Sequence, residues 1–284
     1  MTNKYNNSNH KPQTNPIELI RSIYANRGLI VTLSKREISG RYKGSYFGIL
    51  WSLLTPLIML TIYTLVFSEI FKVKWNPIES AANEKKIQFA LIIFSGMIIF
   101  NFFSEIISRS TSIIRLHTNY VKKVIFPLEI LPIILICDAG FHALISFSIL
   151  IIGIITTGTL EPLKILLLPL FLFPYVILCL GISFFISSIA VYIRDSGQAV
   201  SLLITALMFL SPIFYPLSAV PKKFNNLIAL NPITYVIEKI RGDLFFNYSH
   251  DIYSLITYYL ASILVLIVGF HFFQKTRLGF ADVL

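Results

Sequence analysis

Residues 41–60 read RYKGSYFGILWSLLTPLIML, and this stretch decides the fold class. Two cations, Arg41 and Lys43, stand a few residues ahead of a run of apolar and aromatic side chains. Pro56 sits inside that run. Charge at the threshold and a long apolar continuation describe a helix entering a bilayer from its headgroup region. A hydrocarbon core of roughly 30 Å takes about 20 helical residues to cross. A proline that would break a soluble helix is tolerated there when neighbours satisfy the freed backbone groups.

Outward from this stretch the pattern repeats. The 284-residue chain is 55% hydrophobic and 13% charged, against about 25% charged in soluble domains. Apolar segments at about 48–71, 87–108, 128–157, 165–193, 198–220 and 252–273 predict an all-α integral membrane protein with six transmembrane helices. Open sheets are excluded, because their unpaired backbone groups cannot be satisfied in lipid. The third and fourth segments exceed one crossing, which predicts tilt or protruding ends. The fifth runs into SPIFYPLSAVP, where Pro212, Pro216 and Pro221 argue against a plain helix. Six spans put both termini on one side, and the bias of Lys and Arg makes that side cytosolic. The net charge of +10 suits loops facing anionic lipid. No basic run or basic–aromatic ladder points to nucleic acid. Cys137 and Cys179 both fall in apolar segments and read as small buried hydrophobes.

The Asn-rich first fifteen residues read as a disordered cytosolic tail, and 16–284 as one transmembrane domain. After the tail, Asn15 can cap, Pro16 suits the first helical position and Glu18 suits the third. Ile17, Ile20, Ile23, Tyr24, Ile30 and Val31 recur at helical spacing, which predicts an amphipathic interface helix over 16–38. The 109–127 loop is basic and amphipathic, with Arg115, His117, Lys122 and Lys123 against Ile113, Ile114 and Tyr120. It reads as a solvated connecting helix or as a docking helix for a second protein. Glu129 falls in the first turn of the third span, where negative charge suits the helix dipole. The 212–246 region is too polar for a span and too apolar for an ordinary loop. Asn231–Pro232 caps and starts a helix whose stripe is Ile233, Val236, Ile237, Ile240 and Leu244. Glu238 and Arg241 are spaced to pair, as are Lys239 and Asp243. Two short re-entrant helices between spans five and six satisfy this pattern, and they imply a cavity covering them.

No G-x-x-x-x-G-K-[ST] occurs, so the chain builds no phosphate cradle for ATP by itself. No HExxH and no His/Cys cluster appears, and neither a metal nor a cofactor is expected in this chain. Asp138, with His142 one turn later, is the carboxylate that a span should avoid. It reads as a structural hydrogen bond to His142 or to a neighbouring helix ahead of a proton relay. Glu69, Glu105 and Asp138 are too dispersed along the sequence for metal-assisted phosphate chemistry. Arg194–Asp195 marks a short connection that caps a helix end. Aromatic faces can stack on sugar rings, and Tyr42, Tyr46, Phe47 and Trp51 are the candidates, with an interfacial belt as the plainer role.

Five stretches in order carry a family likeness: KREISGRYKGSYFGILWSLLTPLIMLTIYTLVFS at 35–68, VKKVIFPLEILP at 121–132, VYIRD at 191–195, SPIFYP at 211–216 and NPITYVIEKIRG at 231–242. Together they resemble the membrane subunit of an ABC exporter of the ABC-2 type, in the branch exporting O-antigen, capsule or teichoic acid. The resemblance implies a homodimer working with two ATPase subunits, which bind ATP and Mg. It implies a glycan on an undecaprenyl pyrophosphate carrier as substrate and the bacterial cytoplasmic (inner) membrane as location. It makes 16–38 the interface helix and 109–127 the coupling loop, through Arg115, His117, Tyr120, Lys122 and Lys123. It makes 212–246 the outer gate, with Pro212, Tyr215, Pro216, Asn231, Pro232, Glu238 and Arg241. Arg36, Arg41 and Lys43 become candidate contacts for the lipid pyrophosphate, as fork donors and a point charge. The rival readings are a small-molecule ABC-2 permease, a proton-coupled transporter and a membrane enzyme acting on polyprenyl phosphates.

Overall fold

The computed structural model describes residues 15–66, 84–122, 126–157, 162–246 and 251–284. The expected disordered tail before Asn15, Glu69 at the far end of the first span, and Lys123 lie outside them. Among the described residues the regular elements are helical. In order they are α1 Pro16–Ala25, α2 Arg27–Arg41, α3 Trp51–Tyr63, α4 Glu84–Ser110, α5 Ile113–Leu116, α6 Thr118–Lys122 and α7 Ile130–Thr156. Then come α8 Pro162–Ile165, α9 Leu168–Tyr192, α10 Ser196–Leu210, α11 Lys222–Ala229, α12 Pro232–Arg241, α13 Ile252–Thr276 and α14 Phe280–Val283.

Among the described residues five stretches are long and apolar enough to cross a membrane: Gly48–Val66, Ile87–Ser110, Ile130–Thr156, Leu168–Tyr192 and Ile252–Val283. The expected span at 198–220 is instead α10, only 15 residues long. At 1.5 Å per residue it reaches about 22 Å, short of a hydrocarbon core. It stops at Leu210 because Pro212 biases the residue before it away from helix; Ser211 is extended, with ψ at 142°. The six-span expectation becomes five long helices and one of partial length.

The expected single helix over 16–38 is also two. Asn26 donates its side-chain amide to the carbonyl of Ser22 at 2.8 Å, a local bond that competes with helix continuation, and α1 ends there. Asn15 caps α1 by accepting from the amide of Ile17 at 3.0 Å. Leu19, Ile30 and Leu33 are buried against the bundle, while Ile17, Ile20 and Tyr24 remain exposed. An exposed apolar face beside Arg21 suits a helix lying in the headgroup layer.

Most of α4 is buried, and it forms the central post, packed against α7, α9, α12, α10 and α3. Beside it α9 and α13 approach through two glycines. A Cβ on Gly269 would overlap the carbonyl oxygen of Gly181. One on Gly181 would lie 2.6 Å from the backbone nitrogen of Leu266. Small residues at such seams let helix backbones meet directly, the main source of packing where lipid supplies no hydrophobic drive. At the far end from α1, α12 lays Ile233, Val236, Ile237 and Ile240 into the core, and Leu244 just beyond it completes the stripe. Cys179 is buried as expected; Cys137 is exposed, beside Ser34 of α2.

Candidate functional site

A cavity of about 450 Å³ opens between α3, α4 and α7, with the end of α2 at one edge. The turn leading into it holds Gly44 at φ 85° and Gly48 at φ 53°, a conformation only glycine adopts freely. That turn leaves Arg41 and Tyr42 in the cavity wall as the chain reverses into α3. Pro56 lines the wall as well, together with Ser52, whose carbonyl loses its helical donor to the proline ring. Thr55 of α3, Asn101, Ser104 and Glu105 of α4, and His142 and Ser146 of α7 add to the polar lining, among Trp51, Met59, Phe94 and Ile98.

The charges at this edge form one network. Arg41 donates through Nη2 to Glu105 and, at 2.8 Å, to Asp138. Arg109 also donates to Asp138, to Glu105 at 3.4 Å and to Glu37 of α2 at 3.2 Å. Burial works against the charge on Arg41, yet the Glu105 and Asp138 carboxylates more than offset it and raise its pKa. Asp138 is fully buried; its Oδ1 makes no hydrogen bond and faces Nε2 of His142 at 3.6 Å. His142 Nδ1 meets the Tyr42 hydroxyl at 3.3 Å. Burial, with help from the Asp138 and Glu105 carboxylates and against Arg41, raises the Tyr42 phenol. Tyr42 therefore stays neutral, and its hydroxyl donates to or accepts from Nδ1 according to the imidazole tautomer.

The short helices α5 and α6 are fastened to the same stretch of α2. Arg36 Nη2 donates to the Tyr120 hydroxyl at 3.1 Å, and His117 Nε2 lies 3.7 Å from Glu37. His117 stacks on Tyr120 and Tyr120 on Phe126, at centroid distances of 5.5 and 4.4 Å. Arg115 folds back to the Thr111 carbonyl at 2.8 Å, and Lys122 stays exposed. Lys43 is exposed too. Tyr46 and Phe47 stand outside the cavity, forming an edge-to-face series that ends on Trp51, at 5.4 and 5.7 Å. Glu129 is not a dipole partner alone: it accepts from Ser22 at 3.0 Å and Arg277 at 3.1 Å, joining both ends of the chain. Asp195 takes the position before α10 without a capping side-chain bond.

At the opposite end Arg241 is fully buried, though it stood in the sequence as a partner for Glu238. Glu238 lies 4.0 Å away, while the guanidinium donates to the carbonyls of Ile92 at 3.0 Å, Ile213 at 2.7 Å and Pro212. Gly96 makes the room, since a Cβ there would overlap the guanidinium. Asn231 caps α12 through Ile233 at 3.0 Å and reaches Ser211 at 2.8 Å. Tyr215 donates to the Phe209 carbonyl at 2.9 Å, between Pro212 and Pro216. Lys239 lies over the Tyr235 ring at 5.6 Å.

The structure thus brings Arg41, Tyr42 and Trp51 into one cavity and leaves Arg36, Lys43, Tyr46 and Phe47 outside it. It corrects the reading of Glu105 and Asp138 as dispersed: 33 residues of sequence separate them, yet they share both arginines. Sequence reasoning missed Glu105 and Arg109 as site residues. Their spacing of four on an apolar helix was the available signal, an ionisable pair inside a span.

Helices of membrane-crossing length around a cavity with a charged network at one end define a multi-pass membrane protein. The ABC-2 type transporter family matches residues 28–245, and the chain belongs to that family. It is similar to the O-antigen export system permease protein RfbA of Klebsiella pneumoniae, with 27% identity over 257 residues, 90% of this chain and 95% of the relative. RfbA of Myxococcus xanthus is 25% identical over 268 residues, 94% of this chain and 99% of the relative. The polysialic acid transport protein KpsM of Escherichia coli is 23% identical over 241 residues, 84% of this chain and 90% of the relative.

Proposed function

We propose that this chain is the membrane subunit of an ATP-driven exporter that moves lipid-linked polysaccharide of the O-antigen kind across the bacterial cytoplasmic membrane. Relatives named as O-antigen export permeases, aligned over nine-tenths of the chain, support the substrate class. Two copies of the chain form the path, and two separate ATPase subunits bind ATP and Mg. Both termini, α1, α2, α5 and α6 face the cytosol. The observation that carries this reading is the fastening of α5 and α6 to α2 by Arg36–Tyr120 and His117–Glu37. A push on those short helices is delivered to α2, whose last turn holds Arg41 and Tyr42 at the cavity. Lys43 and Arg36, exposed on the same side, meet the pyrophosphate of the carrier, and the glycan follows past Trp51. At the outer end the 212–246 region serves as the gate.

Affinity purification of the tagged chain from its own cells tests the proposal. An ATPase subunit should be retained, and it should be released by Tyr120→Ala combined with Lys122→Glu while the chain itself stays folded. Retention of no nucleotide-hydrolysing subunit, with cargo moved by the reconstituted chain alone, would overturn it.

A further inference from the structure

Among the described residues lining the cavity, Arg41 is the one Lys or Arg and Glu105 the one carboxylate. The Arg41 guanidinium spends Nη2 on Glu105 and Asp138. About a third of the side chain is exposed, and its Nη1 and Nε hydrogens meet no acceptor among the described residues. Those hydrogens remain free for a ligand, yet the charge behind them is already answered. Arg41 and Arg109 face Glu105 and Asp138, and a third carboxylate, Glu37, holds the far side of Arg109. A second anion placed here would gain one cation and meet the Glu105 carboxylate in the same wall, where water screens the repulsion only in part. A neutral ring carrying hydroxyls meets no such cost. It can accept from Arg41 and bond the Asn101 amide and the Thr55 hydroxyl, neither of which has a hydrogen-bond partner among the described residues. Its apolar face can lie on Trp51.

We propose that Glu105 is a specificity-determining residue: its carboxylate, set against Arg41, makes the cavity select uncharged sugar rings over acidic ones. The inference rests on the proposed function only for the choice of sugars. Removing the charge as Glu105→Gln leaves Arg41 and Arg109 balanced by Asp138 and Glu37 and takes the carboxylate out of the wall, so Arg41 faces an acidic sugar unopposed and that sugar becomes acceptable. Glu105→Asp keeps the charge and should keep the preference.

Trp51 and Trp75 are the two tryptophans, so a Trp75→Phe background leaves one emitter, in the cavity wall. The full chain in lipid nanodiscs, without any ATPase subunit, is titrated with methyl glucoside and with methyl glucuronide, which differ at one carboxylate. With Glu105 present the neutral sugar should half-saturate at a concentration about tenfold below the acidic one, the gap expected for one partly screened charge contact. Glu105→Gln should close or invert that gap. Equal or tighter binding of the glucuronide to the chain with Glu105 intact would overturn the proposal, and that comparison needs no variant at position 105. A gap unchanged in Glu105→Gln would overturn it too, as would Trp51 emission indifferent to both sugars. An unaltered chain that retains no ATPase subunit and moves cargo by itself would sink the exporter reading and leave this measurement standing.

Discussion

Asp138 is fully buried and accepts from two arginines on two different helices, α2 and α4. Asparagine at this position keeps the shape and removes the charge, so both guanidiniums lose a shared counter-ion inside the bundle. Breaking a buried pair from one side costs about 3–5 kcal/mol, and the partial exposure of both arginines lowers that here to about 2–3 kcal/mol. Asp138→Asn should lower the thermal unfolding midpoint in detergent, and adding Arg109→Met should recover part of the loss, because fewer charges then lack a partner. Additive losses in the two single variants would show that the pair is not coupled. Asp138 was legible in the sequence as an acid that a span should exclude, and its distance from Glu105 along the chain hid their meeting. Arg41 was legible as a doorway cation. Its inward turn depends on Gly44 and Gly48, whose positive φ angles no charge pattern encodes.

At the scale of elements, the packing of α9 on α13 turns on Gly181 and Gly269, where no Cβ fits without moving a backbone. Gly269→Ala should push the two helices apart and cost about 2 kcal/mol or more, in the range of overpacking a filled seam. Gly28 is the internal contrast: it stands exposed in the first turn of α2, and a Cβ added there would meet nothing within 4 Å. Gly28→Ala should be neutral or stabilise by about 0.5–1 kcal/mol, through helix propensity alone. Thermal unfolding of both variants in one detergent checks the sign of each. A Gly269→Ala protein as stable as the parent would remove the close seam as a support of the fold. Elements whose start carried chemical punctuation were readable: Asn15–Pro16 and Asn231–Pro232 both begin helices with the side-chain bond expected of them. The proline cluster after Leu210 warned that the fifth apolar run would not cross as one helix. The break at Asn26 was not readable, because it comes from a single side-chain bond to Ser22 in a segment of otherwise unbroken helical pattern. The glycine seam was equally hidden, since each glycine lies alone in its own apolar run.

The whole molecule is pinned at its two ends by chemically different fastenings. At one end Arg241 is sealed, with hydrogen bonds to three carbonyls on α4 and in the turn after α10. At the other end Arg41, Arg109, Glu37 and Glu105 keep about a quarter to a third of their side-chain surface open to water. Ion pairs reached by solvent exchange their partners at little cost, whereas parting Arg241 from its carbonyls strands a buried cation and buried acceptors together. Local opening should therefore start at the end built from α1, α2, α5 and α6, the end at which we propose that an ATPase subunit pushes. Hydrogen exchange on the chain in nanodiscs should show amides of 27–41 and 113–122 exchanging faster than those of 232–242. Added salt should widen the difference by weakening the open pairs alone. If 232–242 exchanged as fast as 27–41, or if salt loosened both ends alike, the asymmetry would be gone, and with it the reason to place the moving parts beside the cavity.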